Sequence, residues 1–202
     1  RCVFVAETPQ HPGELYLMKN GEATPRRVSN HNPWLADIAL GTQEPVSYQA
    51  RDGLEIQGIL IRPLDYREGQ RYPLVTVVHG GPEAHYSNGW LTGYSSPGQM
   101  AAARGMAVFY PNYRGSTGRG LEFAMSSQGD LAGKEFDDIV DGVDHLIEQG
   151  LADGDKVGVT GGSYGGYATG WLSTKYTDRF AAGVMFVGIS DNISKWGTSD
   201  IP

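Results

Sequence analysis

Residues 156–175 read KVGVTGGSYGGYATGWLSTK, and the rest of the chain is organised around them. Lys156 to Thr160 has the look of a short buried strand, and from Tyr164 onward Tyr167, Ala168, Trp171 and Leu172 fall at helical spacing. Between them, Gly161-Gly162-Ser163-Tyr164-Gly165-Gly166 contains G-x-S-x-G in the strand-turn-helix setting of a nucleophile elbow. The glycines have a mechanical reason. A strand that reverses sharply into a helix brings two backbones together, and a Cβ two residues either side of the serine would collide. Ser163 is then held strained and exposed, with the free N–H groups and positive dipole end of the following helix aimed where an oxyanion would form. The bland alternative is a glycine-rich turn that only permits tight packing or cradles a phosphate. A P-loop would need Lys-Ser/Thr after its last glycine, whereas Tyr167-Ala168 comes next here, and G-x-G-x-x-G fits Gly158 to Gly166 in no register.

The chain has 202 residues, enough for one domain with a substantial core, and 40% hydrophobic content with 29 glycines suits a turn-rich globular protein. Sixteen basic against 23 acidic residues give a net charge of -7 without a long run of one sign, so no footprint for nucleic acid or an anionic membrane is present. Cys2 alone cannot make an internal disulfide or a cysteine-based zinc site, and it leaves the compartment open. No apolar run approaches the length of a membrane span. No cofactor or metal is expected.

Along the chain, Cys2 to Ala6 and Glu14 to Met18 read as strands around a turn-rich Thr8 to Gly13, with a further turn at Asn20-Gly21. This is a hairpin without a partner sheet. His11 and His31 sit in turns and read as solvated loop residues. From Pro45 the texture changes. Val46 to Gln49 and Leu54 to Ile61 read as paired antiparallel strands, and Tyr72 to Val78 is a β-branched run typical of a strand buried on both faces. A helix near Pro97 to Arg104, a strand Met106 to Tyr110, a long loop Pro111 to Gly133, a helix Lys134 to Gln149, the elbow and a strand Ala181 to Val187 complete an α/β alternation with a largely parallel sheet. On the long helix, Phe136, Ile139, Val140, Val143, Leu146 and Ile147 make one apolar stripe. His145 and the acids Asp137, Asp138, Asp141 and Asp144 read as its solvated face.

The central strand ends in His79-Gly80-Gly81-Pro82. In an α/β sheet ligands bind beyond the carboxyl ends of the strands, so this loop and the elbow are expected at the same edge. Glycines there let a backbone N–H approach a tetrahedral intermediate. Gly81 and Tyr164 N–H are therefore the expected oxyanion pair. His79 reads as a strand-end residue that orients the loop, because a base ahead of the nucleophile would reverse the order of serine, acid, histidine; the same order argues against His85.

Tyr72-Pro73-Leu74 leading into His79-Gly80-Gly81-Pro82, then Asn112-Tyr113-Arg114-Gly115-Ser116-Thr117-Gly118, then Gly161 to Gly166, together resemble the prolyl oligopeptidase family of serine peptidases, in particular its acylaminoacyl-peptidase-like branch. The resemblance implies an α/β-hydrolase catalytic domain over 46–202 behind a β-propeller, with 1–45 as the propeller's last strands. It implies Ser163 as nucleophile, an oxyanion hole from Gly81 and Tyr164, and short peptides as substrates. Some branches place a tyrosine side chain where His79 stands; here that donor is absent. Ile189, Ile193 and Trp196 fall where relatives build a substrate pocket, and they suit a core equally well.

A serine alcohol is a weak nucleophile without a histidine and an acid to orient it. No histidine occurs after Ser163, and Asp178, Asp191 and Asp200 come early for a triad acid. The expectation is a fragment whose acid and base lie beyond Pro202, inactive as it stands. An esterase using the same residues, or a non-catalytic α/β module that keeps the elbow for packing, are the alternatives.

Overall fold

A computed structural model describes residues 1–199. Two sheets are formed. The first is a three-stranded antiparallel sheet, β1 (Cys2–Thr8), β2 (His11–Met18) and β3 (Arg26–Arg27), in that order. The predicted hairpin thus gains a short third strand. Glu14 on β2 is buried, and it accepts from Arg27, the Ser29 hydroxyl, and both the backbone and ring nitrogens of His31. With the Ser29 hydroxyl the largest influence, its carboxyl is held down to about 2. His31 is an exposed loop residue, as expected, although its ring bonds the buried acid; His11 instead opens β2, half-buried, with its ring 3.0 Å from the Tyr16 hydroxyl.

The second sheet has six strands: β4 (Gln43–Gln49), β5 (Glu55–Ile61), β6 (Tyr72–Val78), β7 (Ala107–Asn112), β8 (Ala152–Gly162) and β9 (Ala182–Phe186), ordered β4-β5-β7-β6-β8-β9. β4, β5 and β7 pair antiparallel, and β7, β6, β8 and β9 run parallel. The β-branched run of β6 lies between two parallel neighbours, as its composition requires. Leu74 and Val78 face a core with α3 (Lys134–Glu148) and α4 (Tyr164–Lys175), while Val77 faces Ala101 and Ala102 of α1 (Gly98–Ala102) on the other side. The long loop holds a short helix α2 (Leu121–Met125), and α5 (Asn192–Thr198) ends the described region. β9 is the exposed edge, with Val184, Met185 and Phe186 open to solvent. No helix among the described residues is long and apolar enough to cross a membrane.

The apolar stripe of α3 is buried as its period dictates, at Phe136, Ile139, Val140, Val143 and Leu146. Its acidic flank differs from expectation. Asp138 is fully buried and grips Arg114, which donates Nε and Nη2 to it at 2.9 and 2.7 Å and Nη1 to Asp52 at 2.8 Å. Asp137 and Asp141 pair with Arg51, and His145 stacks on Tyr48 at 6.0 Å. The reason is tertiary: the β4–β5 turn and the loop after β7 bring arginines onto a face that looks solvated on an isolated helix.

Removing one partner of a buried pair strands the other charge, whereas an exposed pair contributes little. Arg114→Ala is expected to lower unfolding free energy by about 3–5 kcal/mol, and Arg51→Ala by about 1 kcal/mol or less. Urea denaturation of both variants checks the contrast.

Candidate active site

The elbow is built by backbone proximity. In the β6–β8 ladder Val78 pairs with Gly161, so both strands end at one edge and deliver His79-Gly80-Gly81 and Gly162-Ser163 side by side. A Cβ at Gly165 would lie 2.0 Å from the Val78 carbonyl oxygen, and one at Gly161 would lie 2.4 Å from it. These are the positions two residues either side of the serine. Ser163 itself has φ 57 and ψ −119, a left-handed conformation that a serine adopts only under constraint, and it is exposed. Its N–H donates to the Phe186 carbonyl at 3.2 Å, and its carbonyl accepts from Tyr167 N–H at 3.0 Å. The hydroxyl has no partner among the described residues.

The facing loop approaches closely. A methyl group on Gly80 would stand 3.2 Å from Ser163 Cβ and 3.8 Å from its Oγ. Gly81 comes next with φ 125, and its N–H donates to nothing among the described residues. Tyr164, as the first residue of α4, has no acceptor for its N–H within the helix. Two unclaimed donors beside an exposed hydroxyl suit acyl transfer.

His79 is buried and does not touch Ser163. Its Nδ1 meets the Gly80 carbonyl at 2.8 Å and its Nε2 the Ser116 hydroxyl at 2.9 Å, and the ring stacks on Tyr113 at 4.3 Å. Burial pulls it down to about 4, so it is neutral at ordinary pH. It braces the loop, as the chain order of serine, acid and histidine led us to expect. His85 bonds Thr117. Ser116 and Tyr113 belong to the Asn112 to Gly118 motif, in which neither residue had an evident task from sequence alone. The motif's glycines, beside a strand end, were the available signal.

Ile189 is half-buried, whereas Ile193 and Trp196 on α5 are exposed. Asp191 caps α5, accepting from Ile193 and Ser194 N–H at 3.1 Å each, and Asp178 is exposed. Asp200 lies outside the described residues. No group of three or more metal-ligating side chains occurs among the described residues.

The profile of the prolyl oligopeptidase family matches residues 92–202, more than half of the chain and the whole elbow. The chain belongs to the prolyl oligopeptidase family. It is 37% identical over 201 residues to the "Uncharacterized peptidase YuxL" of Bacillus subtilis (strain 168), covering 98% of this chain and 30% of that protein. It is 38% identical over 186 residues to "Dipeptidyl aminopeptidase BIII" of Pseudoxanthomonas mexicana, covering 89% and 26%. Among solved structures, a Pyrococcus horikoshii acylaminoacyl peptidase matches with a TM-score of 0.86 at 32% identity, covering 98% of this chain and 31% of that one. The six-stranded sheet and the helices packed on it have the α/β-hydrolase fold of this family's catalytic domain. The chain spans about 30% of the length of these relatives.

A histidine pulled from 6.5 to about 4 binds its proton less readily folded than unfolded, so the unfolded state takes up more protons between those values. Stability is therefore full above pH 6.5 and falls as pH drops through that window, by on the order of 3 kcal/mol. His79→Gln is expected to flatten this part of the pH-stability curve. Denaturant midpoints from pH 7 to 4 for both proteins measure it.

Proposed function

We propose that the parent protein is a serine peptidase that hydrolyses short peptides through an acyl-enzyme on Ser163. The observation that carries this reading is the exposed Ser163 hydroxyl on a strained turn, pressed against a glycine loop whose Gly81 N–H is unclaimed. Ser163 Oγ attacks the scissile carbonyl and loses its proton to a base. Gly81 and Tyr164 N–H receive the charge that develops on the carbonyl oxygen, and water then releases the acyl group. None of the five histidines is bonded to Ser163, and His79 is committed to its loop. The base and its orienting acid are accordingly assigned to parts of the parent outside these 202 residues. Residues 46–202 are the partial peptidase domain in this reading, and 1–45 the end of a propeller whose Val3, Val5 and Leu15 stand exposed for a neighbouring blade. Ile189, Ile193 and Trp196 are the proposed wall for the residue before the cut bond. The relatives named for dipeptidyl aminopeptidase and acylaminoacyl peptidase activity support a substrate with a short acyl side.

Intact mass of the full-length gene product before and after a fluorophosphonate probe tests the reading. One adduct is expected, absent from Ser163→Ala, with hydrolysis of aminoacyl anilides falling by about 10⁶-fold in that variant. Turnover of simple acyl esters with no anilide cleaved would instead make the parent an esterase.

A further inference from the structure

Two carboxylates of α3 are fully buried, and the ion pairs of the described residues include only one of them. Asp138 meets Arg114. Glu135 meets neutral donors: its Oε1 accepts the Tyr164 hydroxyl at 2.6 Å and the Ala132 N–H, and its Oε2 accepts the Gly133 N–H at 3.1 Å. Burial raises its carboxyl above the ordinary range. The two N–H bonds have a local explanation, because Gly133 has no side chain to cap α3 and Glu135 does that work from inside the first turn. The tyrosine bond has none. A helix cap does not need a hydroxyl from a residue 29 positions away.

Tyr164 is the residue after the nucleophile. Its ring lies between Phe136 at 5.5 Å and Tyr167 at 5.8 Å, and its hydroxyl also accepts the Ala132 N–H at 3.3 Å. A tyrosine has two side-chain torsions. Held at the ring by packing and at the hydroxyl by Glu135, it has little room to turn, so its backbone is fixed relative to α3 at the one peptide where an N–H must face the reacting carbonyl.

Resting on the hydrolase reading above, we propose that Glu135 is a positioning residue, whose buried carboxylate anchors the Tyr164 hydroxyl and so aims the Tyr164 N–H at the oxyanion. It acts through Tyr164 and touches no substrate. An N–H misdirected by a loosened side chain costs less than one removed, which lowers turnover about 10²- to 10³-fold. The charge it would meet exists mainly in the transition state, so the loss falls on kcat and not on KM.

The test uses the full-length gene product with Tyr164→Phe, Glu135→Gln and the double variant, assayed on an aminoacyl anilide with active sites counted by fluorophosphonate adduct. Tyr164→Phe keeps the ring, the peptide and the cap, and Glu135→Gln sets an amide N–H₂ against either the Gly133 N–H or the Tyr164 hydroxyl, displacing the group that holds the tyrosine. Each is expected to lower kcat per labelled serine roughly 10-fold at nearly constant KM, with the double variant no slower than the slower single. Unchanged kcat per labelled serine in Tyr164→Phe would overturn the proposal and leave Glu135 a helix cap, whatever the melting temperature did. If Glu135→Gln fails to fold, Tyr164→Phe decides alone. A wild-type protein that takes no label at Ser163 would sink the hydrolase reading itself, and this proposal with it.

Discussion

The Val78 carbonyl oxygen occupies the space that a Cβ at Gly161 or Gly165 would need, and most of the site depends on that contact. β6 and α4 can then meet backbone to backbone at the point where β8 ends. Because Val78 is the last residue of its strand, the next three residues, His79-Gly80-Gly81, must emerge against the elbow. The chain has no room for a gradual turn from β8 into α4, so the residue at the corner takes a left-handed backbone. That residue is Ser163. Strain at the corner and exposure of its hydroxyl therefore have one cause, the shortness of the distance between two backbones.

Two polar networks hold the surroundings of this corner, and both start on the first turns of α3. Asp138 grips Arg114, which also takes Asp52, and so pins the loop after β7. From the same loop Ser116 and Tyr113 reach His79, and His79 reaches the Gly80 carbonyl. Glu135, three residues before Asp138 and hence on the same helix face, reaches Tyr164 on the opposite flank. One helix face thus carries a carboxylate toward each of the two backbone donors proposed to act on substrate. Both sit near the helix N-terminus, where the macrodipole favours negative charge and offsets part of the cost of burying it.

These networks mark the limit of what the sequence discloses. Glycine spacing about Ser163 was legible because the glycines stand at fixed offsets from the serine along the chain, although the atom they make room for, the Val78 carbonyl oxygen, lies on another strand. The α3 stripe was legible because burial of one helix face repeats every three or four residues, and β6 because a run of β-branched residues suits only a strand covered on both sides. Asp138 reads as solvated on the helix alone for the converse reason. Its partner Arg114 lies 24 residues back, on a loop whose path no periodicity reports. Glu135 abuts Phe136 at the start of the same helix, and no spacing ties it to Tyr164, 29 residues further on. Ile193 and Trp196 show the same limit in apolar residues, since their type says they can be buried but their exposure on α5 depends on what α5 packs against.

The different fates of His79 and Glu135 reflect the options each has when buried. An imidazole can shed its charge at modest cost, and His79 does so, braced as a neutral ring between a carbonyl and a hydroxyl. A carboxyl that shed its charge would gain an O–H in place of an acceptor, while three donors point at Glu135. Protonation would set an O–H among groups that donate to it, so hydrogen bonding opposes the push that burial exerts. A fold that needed only a cap here could have used a side chain outside the core, where water would satisfy the rest. Placing an acid inside, within reach of Tyr164, couples the start of α3 to the start of α4, and the start of α4 is where the serine stands.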